Sequence, residues 1–265
     1  MTRPSFSLFS LFKPPSPEAM GAELTIAINY LTRFSLPLKR DIKAKLAPQS
    51  VSWFPIIGLL IGLAGASIDW IMTLMHMPGA ITATTAVIGM LFLTRALHEE
   101  EFATLIDSCG KRTTSEDRGG WLKDKKSVRH GTVGIILIIL LKITALASLA
   151  DNLLVFQALI VSASWSRALM VIAAAWLTPL AGDPVADHFR NPPALHVVLS
   201  VGLGVLIASC AMGEDTATVL AAGAIAALIV ALIGANFLRG YNGALLGALQ
   251  QIVEVTTLGI VLALQ

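Results

Sequence analysis

The stretch Val51–Met75 reads VSWFPIIGLLIGLAGASIDWIMTLM, and Asp69 is its only charged side chain. A helix of about 20 apolar residues crosses the hydrocarbon core of a bilayer, which is about 30 Å thick. The stretch is therefore long and apolar enough to cross a membrane as a helix. A membrane barrel strand is excluded, because the required alternation of outward apolar and inward polar residues is absent.

Six further stretches have the same length and apolar character. They are Gly79–Leu97, Thr132–Ala150, Leu154–Leu177, Leu195–Met212, Ala217–Leu238 and Ala244–Leu264. We therefore predict an all-α fold, a polytopic transmembrane helix bundle with about seven spans. The shorter, more polar segment Glu23–Leu36 predicts an interfacial or re-entrant helix. Residues 1–22 are predicted to form a cytoplasmic tail, and residues 23–265 a single membrane-embedded domain.

The composition of the 265-residue chain agrees with this fold class. Hydrophobic residues make up 55% of the chain and charged residues 14%, and the mean hydropathy is +0.75. A soluble domain carries about 25% charged residues. These values exclude intrinsic disorder, a fibrous repeat and a secreted disulfide-stabilised scaffold. The net charge of +2 gives no support to a nucleic-acid partner.

The distribution of Lys and Arg predicts the orientation in the membrane. Residues 33–45 contain five of them and residues 99–132 contain seven, whereas the connections at 76–78, 151–152 and 213–216 contain none. The positive charges thus fall on alternate sides of the predicted spans. We predict an integral membrane protein with its N-terminus and its long loop 98–131 on the cytoplasmic side and its C-terminus outside.

The start of the long loop, His98–Gly110, reads HEEEFATLIDSCG. If the preceding helix continues, Glu100, Thr104 and Asp107 lie on one face. Two carboxylates at a membrane surface can bind Mg²⁺, which completes its coordination with water and substrate phosphate. A solvated acidic helix end is the alternative interpretation.

The second half of the loop is basic, and Lys123–Gly134 reads KDKKSVRHGTVG. Basic groups beside small residues are suited to phosphate, although the positive-inside rule or anionic lipid head groups also explain them. Lys142 and Arg167 lie inside predicted spans, where each charge costs about 2.5–3.5 kcal/mol on insertion scales. Together these features favour metal-assisted phosphoryl transfer to or from an amphiphilic substrate.

Several motifs agree in order and spacing with one known family. They are Tyr30–Pro37 (YLTRFSLP), Phe54–Gly62 (FPIIGLLIG), Leu97-His98, Arg129–Gly134 (RHGTVG) and Gly240–Ala248 (GYNGALLGA). With these motifs the chain resembles the cobalamin synthase family, the adenosylcobinamide-GDP ribazoletransferases. The resemblance implies Mg²⁺-dependent transfer of the cobinamide-phosphate moiety of adenosylcobinamide-GDP to alpha-ribazole or its phosphate, with release of GMP. It also implies an integral protein of the bacterial cytoplasmic membrane whose active site faces the cytoplasm.

The resemblance also implies roles for particular residues. Glu100 and Asp107 are expected to hold Mg²⁺ and to take part in catalysis, with His98 as an orienting group or proton carrier. The expected substrate-binding residues are Lys126, Arg129, Arg167, Asn242 and Gly243. The expected partners are the two substrates and the lipid bilayer, and other enzymes of the pathway or further copies of the chain are compatible with the resemblance.

The chain departs from the family pattern at acidic positions. The family loop reads HLDG-LAD-x-x-DG, and non-acidic residues stand at three of the family's aspartate positions: Thr104, Ser127 and Ala244. Either Glu101 or Asp124 compensates through a shift of the loop, or the chain is a catalytically impaired paralogue that binds corrinoids or acts as a membrane scaffold. A small transporter and a CDP-alcohol phosphotransferase-like enzyme are further alternatives.

Overall fold

The computed structural model describes residues 16–109 and 130–265, so the predicted phosphate contacts Lys126 and Arg129 lie outside the described residues. The described parts are helical, apart from an isolated bridge between Pro179 and Tyr241. The helices are α1 (Pro17–Leu31), α2 (Arg40–Leu46), α3 (Phe54–Leu74), α4 (Gly79–Thr94), α5 (Leu97–Cys109), α6 (His130–Ala147), α7 (Asn152–Trp176), α8 (Pro184–His188), α9 (Ala194–Met212), α10 (Thr216–Leu238) and α11 (Gly243–Ala263). The predicted all-α fold is confirmed.

Several segments are suited to cross a membrane by length and composition. Within the described residues five qualify: Ser50–Leu74, His130–Ala147, Asn152–Trp176, Ala194–Leu238 and Gly243–Ala263. A sixth is added if α4 and α5, which are bent by 87° relative to each other, form one broken span. By length and composition alone five or six such segments are thus found, and the segment Ala194–Leu238 contains two of the seven predicted stretches.

This long segment contains a turn. A continuous helix of its 45 residues would extend about 68 Å, roughly twice the thickness of a bilayer core. Instead α9 ends at Gly213, which has a φ of +57°, and α10 begins after a short 3₁₀ turn. Gly204 on α9 and Gly223 on α10 both pack against the Trp165 ring, so the chain folds back between them.

Helix α7 is the centre of the bundle, and α3, α9, α10 and α11 pack around it. Close approach of α3 depends on two glycines four residues apart. A Cβ atom at Gly62 would lie 2.6 Å from the carbonyl oxygen of Leu159, and one at Gly58 would overlap the carbonyl oxygen of Ala163. The backbones of α3 and α7 are therefore in direct contact.

Helix α1 lies against the outside of this bundle. It begins at Pro17 after the N-cap Ser16, inside the segment predicted as a tail, and ends at Leu31 rather than at Leu36. Its 15 residues extend about 22 Å, too little for a span. A short helix is thus present as predicted, and its interfacial or re-entrant position in the membrane stays a prediction.

The prediction that residues 98–131 form a loop is wrong for its first part, because Leu97–Cys109 form helix α5. Residues Arg95 and Ala96 have positive φ values of 58° and 52°, and they turn the chain from α4 into α5. Helix α5 then packs along α11, with His98 and Glu99 buried. The segment up to Cys109 is therefore part of the packed bundle.

We predict that Gly58→Ala destabilises the protein, because the added methyl group meets backbone atoms of α7 that cannot rotate away. Overpacking of this kind costs about 1–3 kcal/mol. Gly202→Ala on α9 is the matched control, because its Cβ position has no atom within 4 Å. Thermal unfolding in detergent should show a lower Tm for the first variant only, and an equal Tm for both would contradict the proposed backbone contact.

Candidate functional site

An acidic side chain of α5 lies over the first turns of α11. A Cβ atom at Gly243 would lie 3.1 Å from Glu101 Oε1, and a Cβ atom at Gly247 would overlap the same carboxylate. These two glycines therefore leave the space that Glu101 fills. Glu101 is one of the two acids predicted to compensate for the missing aspartates. It therefore lies beside the glycine motif at the start of α11.

A second carboxylate reaches the same point from α8. Asp183 Oδ1 accepts hydrogen bonds from the N–H groups of Val185 (3.0 Å), Ala186 (2.9 Å) and Gly243 (3.2 Å). It is the N-cap of α8 and at the same time ties α8 to the start of α11. Glu101 and Asp183 thus flank Gly243 from two sides, and we call these three residues the acidic site.

Tyr241 fixes the position of α8 beside this site. Its hydroxyl donates toward the carbonyl oxygens of Phe189 (3.3 Å) and Ala186 (3.4 Å), and its backbone pairs with residues 178 and 180. Burial raises the pKa of Tyr241 to about 12, so the hydroxyl remains a donor at physiological pH. The tyrosine therefore positions Asp183 through the short helix that it holds.

His98 supports Glu101 from behind. Its Nδ1 atom lies 2.9 Å from Glu101 Oε2, and the residue is only 1% exposed. Its Nε2 atom has no hydrogen-bond partner among the described residues. The Tyr30 ring lies edge-on to the imidazole, with 6.5 Å between ring centroids. His98 is thus placed to orient Glu101, one of the two roles expected for it.

Of the predicted substrate-binding residues, Gly243 belongs to the acidic site and Asn242 directly precedes it. Asn242 is the N-cap of α11, and its Oδ1 accepts the N–H of Leu245 at 3.0 Å. Its Nδ2 group is buried and has no hydrogen-bond partner in the described structure. Gly243 lies between the two carboxylates. The structure therefore brings Asn242 and Gly243 together with Glu101.

The predicted metal ligands lie elsewhere on α5. Glu100 is exposed, whereas Asp107 Oδ1 accepts the N–H of Gly131 at 2.7 Å and so caps the start of α6. The helix that the spacing predicted is present, but seven residues along it correspond to a rise of about 10 Å. Because Mg²⁺ binds its oxygen ligands at about 2.0–2.1 Å, direct coordination of one ion by both groups is not favoured by this geometry. Their metal-binding role stays a prediction.

The charges inside the predicted spans form a buried network. Lys142 Nζ lies 3.3 Å from Glu99 Oε1 and 3.3 Å from Glu254 Oε2. The amide group of Gln251 donates to Glu99 Oε1 at 2.8 Å, and Gln250 donates to Glu254. The network joins α5, α6 and α11.

Arg167 of α7 completes this network. The residue is 2% exposed, its Nη1 donates to the carbonyl oxygen of Ala163 at 2.9 Å, and its charge is close to those of Glu99 and Glu254. Two positive and two negative groups thus balance one another in the interior, and we call Glu99, Lys142, Arg167 and Glu254 the buried quartet. The predicted substrate contact of Arg167 stays a prediction.

Glu101 and Glu99 both lie on α5, and a cavity of about 20 Å³ is lined by His98 and by the side chains of the buried quartet. This volume holds about one water molecule. Sequence reasoning missed Glu99, Glu254 and Asp183 as functional or organising groups. The available signal was the spacing of Gln250, Gln251 and Glu254, which places three polar groups on one face of an apolar helix.

We predict that Lys142→Met strongly destabilises the protein, because Glu99 and Glu254 lose their shared cation. Removing one partner of a buried ion pair costs about 3–5 kcal/mol. The double variant Lys142→Met/Glu254→Gln removes one charge of each sign and should recover part of the loss. Thermal unfolding of the purified proteins tests this, and a single variant as stable as the wild type would contradict the pairing.

We predict that Gly247→Ala lowers activity, because the added methyl group occupies the position of the Glu101 carboxylate. Gly259→Ala on the same helix is the control, because its Cβ position has no atom within 4 Å. The two variants should have similar helix stability but different turnover. Equal turnover would contradict the role of Gly247 in positioning Glu101.

The apolar helices, the buried charges and the acidic groups at the start of the last helix define an integral membrane protein with a polar site at one end of its bundle. The chain belongs to the cobalamin-5-phosphate synthase family, whose family model matches residues 23–262. It is thus a member of a bacterial inner-membrane transferase family of cobalamin biosynthesis, and the resemblance stated from the sequence motifs is confirmed.

Individual relatives support this assignment over nearly the whole chain. A Bradyrhizobium diazoefficiens protein named adenosylcobinamide-GDP ribazoletransferase is 28% identical over 245 residues, which cover 92% of this chain and 94% of that protein. Proteins of the same name from Shewanella oneidensis (30% over 244 residues, covering 87% and 89%) and Syntrophobacter fumaroxidans (32% over 255 residues, covering 90% and 97%) are also similar. No solved structure shows significant similarity to the chain.

Proposed function

We propose that this protein is an active adenosylcobinamide-GDP ribazoletransferase. A hydroxyl group of alpha-ribazole, or of its phosphate, attacks the phosphorus atom that bears the cobinamide. The new P–O bond forms, the bond to GMP breaks, and the hydroxyl loses its proton. The names of relatives that match about nine tenths of the chain support an enzyme. No observation favours the non-catalytic scaffold, the transporter or the CDP-alcohol phosphotransferase alternative.

The observation on which this proposal depends is the meeting of Glu101 and Asp183 at Gly243. Thr104, Ser127 and Ala244 stand at acidic positions of the family pattern, so the expected acids are missing there. We propose that Glu101 and Asp183 take over their role. They come from two different elements and lie on either side of Gly243.

The donor set fits Mg²⁺, which is bound by one or two carboxylates and completes its shell with water and substrate phosphate. Within residues 16–109 and 130–265 no cluster of three or more His, Cys, Asp or Glu side chains is arranged to hold a metal by itself. The two carboxylates of the acidic site would hold the ion together with the substrate. When bound, the ion neutralises negative charge on the pyrophosphate.

The protein groups around the acidic site have separate tasks in this proposal. His98 holds Glu101 in one orientation through the bond to Oε2. The start of α11 attracts an anionic phosphate, because the first N–H groups of a helix and its dipole favour negative charge. Asn242 Nδ2 adds an unused donor at the same helix end. Catalysis then consists mainly of positioning and charge neutralisation, as expected for phosphoryl transfer.

We further propose that the acidic site faces the cytoplasm. The positive-inside rule assigns the basic segments 33–45 and 99–132 to that side, and Glu101 belongs to the second of them. Soluble alpha-ribazole and Mg²⁺ would reach the acidic site from there, while the apolar helices keep the protein in the bilayer.

The experiment measures GMP release and corrinoid product by purified protein supplied with adenosylcobinamide-GDP, alpha-ribazole phosphate and Mg²⁺. Glu101→Gln should lower kcat by about 100-fold or more, because it removes a metal-binding charge. Glu100→Gln is the matched control on the adjacent residue and should retain activity. Asp107→Asn keeps an oxygen acceptor for Gly131 and should have only a modest effect.

The opposite pattern would overturn the assignment of the metal site. If Glu100→Gln and Asp107→Asn abolish turnover and Glu101→Gln does not, Glu100 and Asp107 are the metal ligands. If the wild-type protein binds the cobinamide substrate but releases no GMP under any condition, the scaffold alternative replaces the enzyme.

A further inference from the structure

A second cavity opens next to the acidic site, between α1, α2, the start of α5 and α8. Its volume is about 310 Å³, at the lower end of the range for small-molecule sites. Its polar lining comes from Asn29, Tyr30, Lys43, Arg95 and His188, and the rest of the wall is apolar. We call this cavity with its five polar residues the basic pocket.

The charge of the basic pocket is positive. Lys43 and Arg95 are exposed, and neither forms an ion pair within the described parts of the chain. No acidic side chain belongs to the lining. Burial lowers the pKa of His188, with a further contribution from the charge of Lys43, so the imidazole is neutral at pH 7. The two positive charges of Lys43 and Arg95 therefore remain, and together they balance the two negative charges of a phosphate monoester dianion.

The backbone places Arg95 at this position by an unusual conformation. Arg95 and Ala96 are consecutive non-glycine residues with positive φ, a strained conformation that is concentrated at functional sites. Helix α5 begins directly afterwards at Leu97, which also lines the pocket. Ala96 has no polar side chain to cap the first N–H groups of α5, and these groups favour an anion.

The wall opposite the charges is aromatic. The rings of Tyr30 and Phe189 meet edge to face with 4.7 Å between centroids. The Tyr30 hydroxyl is buried and lies beside Glu101. The pocket thus combines an anion-binding end with an aromatic wall.

The basic pocket and the acidic site share a border. Tyr30 lines the pocket and lies next to Glu101. Val185 also lines the pocket, and its Cγ2 atom lies 3.0 Å from the Cβ position of Gly243. A ligand held by its phosphate at Lys43 and Arg95 would therefore extend toward the acidic site.

We propose that the basic pocket binds the phosphate monoester end of a ligand whose ring-containing body is about the size of a nucleoside. This proposal rests on the proposed function for the identity of that ligand, which would be the phosphorylated form of the acceptor, alpha-ribazole phosphate. The pocket would hold the phosphate that does not react and present the acceptor hydroxyl to the acidic site. A phosphate ester of an anionic lipid has the same charged group and is the competing source.

The test measures equilibrium binding to the full-length protein in neutral detergent, without cobinamide substrate and without Mg²⁺. Alpha-ribazole phosphate should bind about tenfold or more tightly than alpha-ribazole, because charge-assisted hydrogen bonds form only with the phosphate. The double variant Lys43→Gln/Arg95→Gln should remove this preference. The variant Arg40→Gln/Lys45→Gln makes the same charge change outside the pocket lining and should keep it.

Three results would overturn the proposal. They are equal affinity for the two probes, equal loss in the control variant, and binding of phosphatidylglycerol in mixed micelles that depends on Lys43 and Arg95 while alpha-ribazole phosphate does not bind. The last result would make the pocket a lipid site. Unchanged Tm values of both variants ensure that the comparison concerns binding and not folding.

Turnover separates this proposal from the proposed function. If the protein binds the phosphorylated probe through Lys43 and Arg95 but releases no GMP, the proposal for the basic pocket is supported and the proposed enzymatic function is contradicted. If the protein is active but the KM for alpha-ribazole phosphate is the same in the wild type and in the Lys43→Gln/Arg95→Gln variant, the proposed function is supported and the proposal for the basic pocket is contradicted.

Discussion

Charged side chains inside a membrane bundle must pair with one another, because lipid offers no water to solvate them. In this protein Glu99, Lys142, Arg167 and Glu254 satisfy that requirement together, and they come from four different helices. Lys142 of α6 joins α5 to α11 by its two ion pairs, and Arg167 of the central helix α7 adds a second positive charge near both carboxylates. The position of Glu101, two residues beyond Glu99, follows from this attachment.

Glycines make the same attachment sterically possible. Gly243 and Gly247 give α11 a surface without side chains where α5 crosses it, and Gly58 and Gly62 do the same for α3 on α7. Charge pairing selects which helices meet, and the glycines allow their backbones to approach. The acidic site lies where both effects act, so its carboxylates are held by the fold rather than by a flexible loop.

The sequence predicted the elements of this fold better than their contacts. Apolar runs identified α3, α6, α7, α9, α10 and α11, because lipid imposes a minimum helix length. The bend after Thr94 was not predictable, because Arg95 and Ala96 adopt positive φ values without a glycine to indicate them. The packing of helix α5 against α11 likewise depends on tertiary contacts, whereas the break between α9 and α10 lies where the sequence predicted a connection.

The acidic site was only partly predictable for a related reason. The spacing on α5 correctly indicated a helix with acids along it, and the glycine motif at Gly243 drew attention to the start of the last helix. Asp183 lies far from both in sequence and reads as an ordinary helix cap before a proline, so no local pattern connects it to Glu101. Only the folded chain shows that these two carboxylates share Gly243.

Locating the cation by anomalous X-ray diffraction from crystals soaked with Mn²⁺ and adenosylcobinamide-GDP tests the central claim most directly. The account predicts an anomalous peak beside Gly243, within bonding distance of Glu101 and Asp183 and next to the substrate pyrophosphate. A peak on the exposed face of α5 at Glu100 or Asp107, with none at the start of α11, would contradict it.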